Sequence, residues 1–224
     1  MKTQMTILLT AIFLMSGWTA TAAKKKHFTG KITYKISVSE DLPEQAKAMM
    51  PKTMTLYVGK NKIKTELFTQ MGMQSSIEDL ENKTKVSLIE VMGQKFAIRD
   101  SWEDVQEEMK NAPDVEMERT GETKEVVGYT CEKVLAKKVE DGEVMATAWV
   151  TSELDAPDNI NFSNPHFNDT NDMMMEFEMD AGNGMMLTFT AIEVDDKKVK
   201  DKEFEIPEDF KETTREELQQ TLGG

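Results

Sequence analysis

The chain has 224 residues and a formal net charge of −14, from 41 acidic and 27 basic side chains. Such a surplus of carboxylates repels nucleic-acid phosphates and anionic lipid head groups, so neither is expected as a partner. One cysteine and two histidines exclude an internal disulfide and leave little from which to build a histidine-based zinc site or a Ser-His-Asp triad.

The N-terminus comes first in chain order. Lys2 precedes the apolar run from Met5 to Met15, and small residues close the segment at Ala20-Thr21-Ala22-Ala23. A basic start, a short apolar centre and an Ala-x-Ala exit are the parts of a secretory signal peptide, expected here over residues 1–23. Cleavage would start the mature chain at Ala23 or Lys24 and place it in the periplasm or cell envelope. The exit carries no cysteine, which argues against a lipid anchor. The rival is an uncleaved anchor, because Thr3 to Ala23 is uncharged and long enough to span a bilayer. Its second half is mostly Ser, Gly, Thr and Ala, which favours cleavage. No Pro/Gly/Ser linker divides residues 24–224, so they are read as a single domain.

After this segment, alternation with period two dominates and predicts strands with one dry and one wet face. Ile32, Tyr34, Ile36 and Val38 form the first; Met54, Leu56 and Val58 the second; Ile63, Thr65 and Leu67 the third, after a Gly59-Lys60-Asn61 turn. Met71, Met73, Ser75 and Ile77 follow, then Val86–Val91 and Phe96–Ile98. The second half predicts Val126-Val127, Tyr129–Lys137, Val144–Thr151, Met173–Met179, Met185–Ala191 and Phe204–Ile206. About ten strands joined by short turns imply an antiparallel meander. Helices are expected over Leu42–Met50, over Ser101–Ala112 with Ser101 and Asp104 as a cap, and over Thr213–Thr221. Asp155–Asp172, rich in Asn and Asp, reads as a long polar loop.

Three short helices cannot cover so wide an apolar face as a flat sheet would expose. The expected fold is therefore mainly β, a curved antiparallel sheet forming a half-barrel around the mid-chain helix near 101–112. A concave apolar surface left unfilled would hold an apolar ligand, a lipid or an acyl chain. Its candidate walls are Ile32, Tyr34, Ile36, Met54, Leu56, Met71 and Met73, faced from the helix by Trp102, Val105 and Met109. The rival is a closed core serving a structural or protein-interaction role.

Other groupings carry less. Eighteen methionines, clustered at 49–50, 71 and 73, 173–175 and 185–186, admit copper(I) binding through thioether sulfur. They occupy positions where alternation demands apolar side chains, and neither histidine lies beside them. Glu176, Glu178 and Asp180 share a strand face, which a solvated face explains as well as acid–base chemistry does. The Asn/Asp loop lacks the ordered spacing of a calcium loop. Cys131, flanked by Glu132 and Lys133, reads as a small buried hydrophobe. No catalytic residue, metal or cofactor is assigned, and the chain is expected not to be an enzyme.

The run from Thr120 to Lys133, Thr-Gly-Glu-Thr-Lys-Glu-Val-Val-Gly-Tyr-Thr-Cys-Glu-Lys, resembles a signature of exported bacterial proteins grouped as domain of unknown function 4412. Gly30-Lys31-Ile32-Thr33-Tyr34, Trp149-Val150-Thr151 and the segment from Phe204 to Lys211 extend the resemblance over nearly the whole mature chain. Asn171-Asp172-Met173-Met174 departs from the Gly-rich approach expected there. The resemblance implies a fold similar to the half-barrels of outer-membrane lipoprotein carriers and brings no catalytic residues.

Overall fold

The structure is a computed structural model that describes residues 27–38, 47–48, 50–69, 72–91, 93–110, 112–180 and 185–222. The segment expected to be a signal peptide, Met71 and most of the helix expected over Leu42–Met50 lie outside these residues. Among them, no helix is long and apolar enough to cross a membrane.

Among the described residues, twelve strands form one open, curved sheet: β1 (Gly30–Val38), β2 (Thr53–Val58), β3 (Lys62–Thr69), β4 (Gly72–Asp79), β5 (Thr84–Val91), β6 (Gln94–Asp100), β7 (Val115–Val126), β8 (Tyr129–Lys138), β9 (Val144–Thr151), β10 (Met173–Asp180), β11 (Met186–Asp195) and β12 (Lys211–Thr213). Their order across the sheet is β12-β6-β5-β4-β3-β2-β1-β11-β10-β9-β8-β7. Two antiparallel meanders thus meet at a central seam where β1 pairs with β11, Ile36 opposite Phe189. The last strand, β12, runs parallel to β6.

Register assigns the faces. Tyr34 lies opposite Met54, Leu56 opposite Thr65, and Thr65 opposite Ser76. Across the seam, Phe189 lies opposite Phe177, Phe177 opposite Ala148, and Ala148 opposite Val134. These residues share the inner face. The outer face of the first meander carries Tyr57, Met73, Ile77, Val86, Leu88 and Ala97, and it is dry too. Val199, Phe204, Ile206 and Phe210 from the C-terminal segment cover it. Phe204 and Ile206, expected in a strand, instead follow from a 3-10 turn at Asp201–Phe204. Their alternation reflects packing across the sheet rather than along it.

Helix α1 (Trp102–Lys110) begins at the expected cap. The Asp104 backbone N–H donates to Ser101 Oγ at 3.2 Å, and the Ser101 N–H donates to Asp104 Oδ2 at 2.7 Å, a reciprocal capping box. Helix α2 (Arg215–Leu222) is capped one residue later than expected. The Glu217 N–H donates to Thr214 Oγ1 at 3.2 Å, and Leu218 packs on Phe96 and Ile98 of the inner face. Arg215 ties this helix to the sheet through two bonds to Asp100, at 3.0 and 2.9 Å.

The β7–β8 turn departs from backbone preference. Val127 and Gly128 both have positive φ, 52° and 80°. Two-residue hairpins of this kind favour Asn-Gly, and a β-branched residue in the left-handed region costs about 1–2 kcal/mol. Val127 is exposed and gains little burial in return. Val127→Asn should therefore raise stability by about 1 kcal/mol in thermal unfolding. An unchanged or lowered melting temperature would show that the valine side chain makes good its backbone cost.

Candidate functional site

The inner face is covered from two sides. Helix α1 contributes Val105, which is buried in the largest core cluster. The stretch from Ser152 to Asp172, of which Asp155–Asp172 was read from sequence as a polar loop, contributes far more: Leu154, Ala156, Ile160, Phe162 and Phe167 are all buried. Its polar residues turn the chain and tie it down. Asn159 Nδ2 donates to the Leu80 carbonyl at 3.2 Å, and Asn161 Nδ2 donates to the carbonyls of Thr170 and Asp172 at 2.9 and 3.2 Å. Asp172 also meets Arg119 and accepts from Thr170 Oγ1. The Asn and Asp side chains thus satisfy backbone groups of an irregular segment, as burial requires. Among the described residues no His, Cys, Asp or Glu side chains group as a metal-ligand set.

Between this stretch and the sheet lies a cavity of about 150 Å³. Tyr34, Met54, Leu56, Ile63 and Phe177 form its sheet wall, with Met173 and Met174 at one side. Ile160, Asn161, Ser163 and Asn164 form the opposite wall. Tyr34 is fully buried and its hydroxyl donates to the Met174 carbonyl at 2.8 Å, linking the two meanders across the seam. Burial raises the pKa of this phenol, which keeps it neutral. Phe177 meets Tyr34 edge-on, with centroids 5.8 Å apart, and stacks on Phe189 at 4.8 Å. These contacts hold the aromatic part of the sheet wall in place.

A second, open groove of about 760 Å³ lies beyond the loop, lined by Trp102, Met109, Val115, Val139, Phe162 and Pro165 among others. Lys83 sits 4.9 Å above the Trp102 ring, and Phe162 is 6.1 Å from it. Side chains of one short segment alternate between the two spaces. Ile160, Asn161, Ser163 and Asn164 face the cavity, while Phe162 and Pro165 face the groove. Residues 160–165 are a partition one chain thick.

The candidate wall residues distribute as follows. Tyr34, Met54 and Leu56 line the cavity, while Ile32 and Ile36 are buried in the same core cluster. Trp102 and Met109 line the groove, and Val105 enters the core. Met73 lies on the outer face, because its register partner Phe68 neighbours Leu67, whose side chain takes the inner face opposite Met54. Met71 is outside the described residues. Cys131 is fully buried, and desolvation raises its thiol pKa, so it stays a neutral small hydrophobe.

One polar group in the cavity was not singled out from sequence. Glu78 is 6% exposed and sits among the lining residues. Its Oε2 accepts from Ser163 Oγ at 2.8 Å and its Oε1 from Ser76 Oγ at 3.4 Å. Burial raises its pKa, opposed by Lys85 and the two hydroxyls. In sequence, Ser76 and Glu78 alternate with Ile77, the apolar position of that strand.

These features define a class: an open half-barrel with an inner-face cavity bounded on one side by an irregular segment. The chain belongs to the family described as Domain of unknown function (DUF4412), which matches residues 28–210. No curated protein matches the sequence. Among solved structures, PNGF-II in its C2 and P21 crystal forms is 15% and 16% identical, with a TM-score of 0.51 in each case. The match covers 88% of this chain and 33% of PNGF-II, so the chain spans a third of that protein's length. An uncharacterized conserved protein from Thermus thermophilus is 8% identical with a TM-score of 0.47, covering 84% of this chain and 91% of the other. A LolA superfamily protein from Nitrosomonas europaea is 9% identical with a TM-score of 0.34, covering 81% and 91%.

Proposed function

We propose that this protein is a non-catalytic, exported cell-envelope protein that binds or carries an apolar ligand, a lipid or an acyl chain, on the inner face of its half-barrel. The observation that carries this reading is the cavity between the sheet and residues 160–164, walled largely by apolar side chains. Export rests on the tripartite N-terminus. A non-catalytic role is supported by the cavity lining, in which Glu78 is the one carboxylate, where acid–base hydrolysis would call for a convergent pair.

Size sets the terms. A cavity of about 150 Å³ holds a molecule the size of benzene, whereas ligand sites usually span about 300–1,000 Å³. A full acyl chain is accommodated when the 160–165 partition moves outward and joins cavity to groove. The smallness of the cavity is also the observation that favours the second reading, a closed core serving an interaction role.

Native purification from an envelope fraction, followed by intact-mass and lipid analysis, separates the two. The expected result is a polypeptide starting near Ala23 or Lys24 with co-purifying lipid. A lipid-free protein that also fails to take up a fluorescent fatty-acid probe would decide for the closed core. Retention of Met1 in a membrane pellet would overturn export with cleavage.

A further inference from the structure

The cavity is apolar but not uniformly so. One side carries a string of polar groups running across the sheet and onto the partition. Thr65 Oγ1 on β3 lies 2.8 Å from Ser76 Oγ on β4, Ser76 donates to Glu78, and Glu78 accepts from Ser163 on the partition. Thr65, Glu78 and Ser163 all line the cavity, together with Met54, Leu56, Met173 and Phe177, and Thr65 lies directly across from Leu56 on the neighbouring strand. A carboxylate offers about four acceptor sites, and these hydroxyls occupy one on each oxygen. Half of its accepting capacity is left over on a side chain that is itself buried, where an unmet polar group costs most.

We propose that the cavity receives an amphiphile whose apolar body carries a hydrogen-bond-donating head, an amine or a hydroxyl, and that Glu78 is the residue that takes the head. This rests on the reading of an apolar-ligand binder and adds the polar end of the ligand. The Met-rich wall adapts to the shape of the body, while the Thr65–Ser76–Glu78–Ser163 string fixes where the head goes. An alkylammonium head next to Glu78 stabilises its ionised form, whereas a carboxylate head places two like charges in one dry space. The other charged neighbour on this face is Lys85 on β5, the cross-strand partner of Glu78, which is half-buried and does not line the cavity. Beyond it, Asp100 on β6 is engaged by Arg215. The remaining cavity-lining groups, from β1 to β3, β10 and the partition, are uncharged.

The test uses the full mature protein carrying methyl-labelled methionine, titrated with n-butylamine, n-butanol and n-butyrate, three ligands that share a tail. Met54, Met173 and Met174 line the cavity and report its occupation. Above neutral pH, the amine and the alcohol should shift these methyl resonances, with n-butyrate weaker by about tenfold or more. Glu78→Gln keeps the shape of the side chain and an acceptor for Ser163 but removes the charge. It should bring amine and butyrate affinities to within about threefold of each other. Should that variant not fold, the wild-type protein supplies the same answer: the preference for amine over n-butanol, neither of which titrates in this range, should shrink as pH falls and Glu78 becomes protonated. Equal binding of all three ligands, with the same methyl shifts at every pH, overturns the Glu78 proposal and leaves the apolar-binder reading standing. If neither these ligands nor a long-chain alcohol moves the cavity methyls, both readings fall.

Discussion

Phe167→Ala is expected to lower the unfolding free energy by about 3–5 kcal/mol, in the range of fully buried aromatic truncations. The ring is 1% exposed and lies on Ala136, Ala146 and Ala148, flanked by Val134 and Val150 of the inner face. Three alanines on neighbouring strands leave a hollow that the ring occupies, with Met117, Met174 and Phe177 packed at its margin. The ring is aimed there by its own turn. The backbone N–H groups of His166 and Phe167 both donate to Asn164 Oδ1, at 2.9 and 3.1 Å, and the Thr170 N–H donates to the Phe167 carbonyl at 3.1 Å. A loss of this size corresponds to a drop in melting temperature of roughly 6–20 °C for a domain of this length. Chemical denaturation would check it. A cost below about 1 kcal/mol would mean that the Ser152–Asp172 stretch contributes little to the folded state, against the burial described above.

The second large effect is expected at the seam. A Cβ at Gly30 would lie 2.3 Å from the Asp195 carbonyl oxygen and 2.7 Å from the Phe28 ring. The ring can turn aside, but the carbonyl belongs to β11, where Asp195 pairs with Lys31. Gly30→Ala should therefore cost about 3 kcal/mol, the upper end for overpacking, because relief requires β1 and β11 to separate locally. Adding Phe28→Leu should not restore the loss. Full rescue by that second change would show that the ring, and not the backbone, sets the constraint.

Much of the fold was legible where one face of a strand is dry and the other wet. The runs at Ile32–Val38, Met54–Val58 and Val144–Thr151 became β1, β2 and β9 as expected. What escaped has physical causes. The strand β7, Val115–Val126, lies at the sheet edge and is mostly exposed on both faces, so Val115 and Met117 stand alone among charges that guard the edge. The strand β12 has three residues, too few to show a period. With Phe204–Ile206 lost as a strand, the expected Val126-Val127 run extended back into β7, and β12 added, the sheet has twelve strands where about ten were expected.

The site was less legible than the fold, for a related reason. Alternation reveals that a strand has two faces but not which of them turns inward. Met73 was grouped with Met54 on that basis, yet β4 presents Glu78 to the cavity, with Ser76 on the same inner face, and its apolar side to the C-terminal segment. Both faces of the first meander are covered, so a polar residue opposite an apolar one need not be wet. The other wall, Ile160–Asn164, has no period at all. Its signal was present only as large apolar residues, Ile160, Phe162 and Phe167, scattered through an Asn- and Asp-rich stretch.

The strand order has a consequence for how the chain reaches this state. Within each meander, neighbours in sequence are neighbours in space and can zip up by local hairpins. The seam is different: β1 is the first strand made, yet one of its two edges waits for β11, the eleventh. Until that partner arrives, Ile32, Tyr34 and Ile36 belong to an open edge with no inner-face neighbours on that side. Loop closure over so much chain is slow, and an unpaired apolar edge invites intermolecular pairing in the meantime. Folding should therefore proceed as two fast events followed by one slow docking, and a chain halted before β11 should aggregate rather than persist as a stable half.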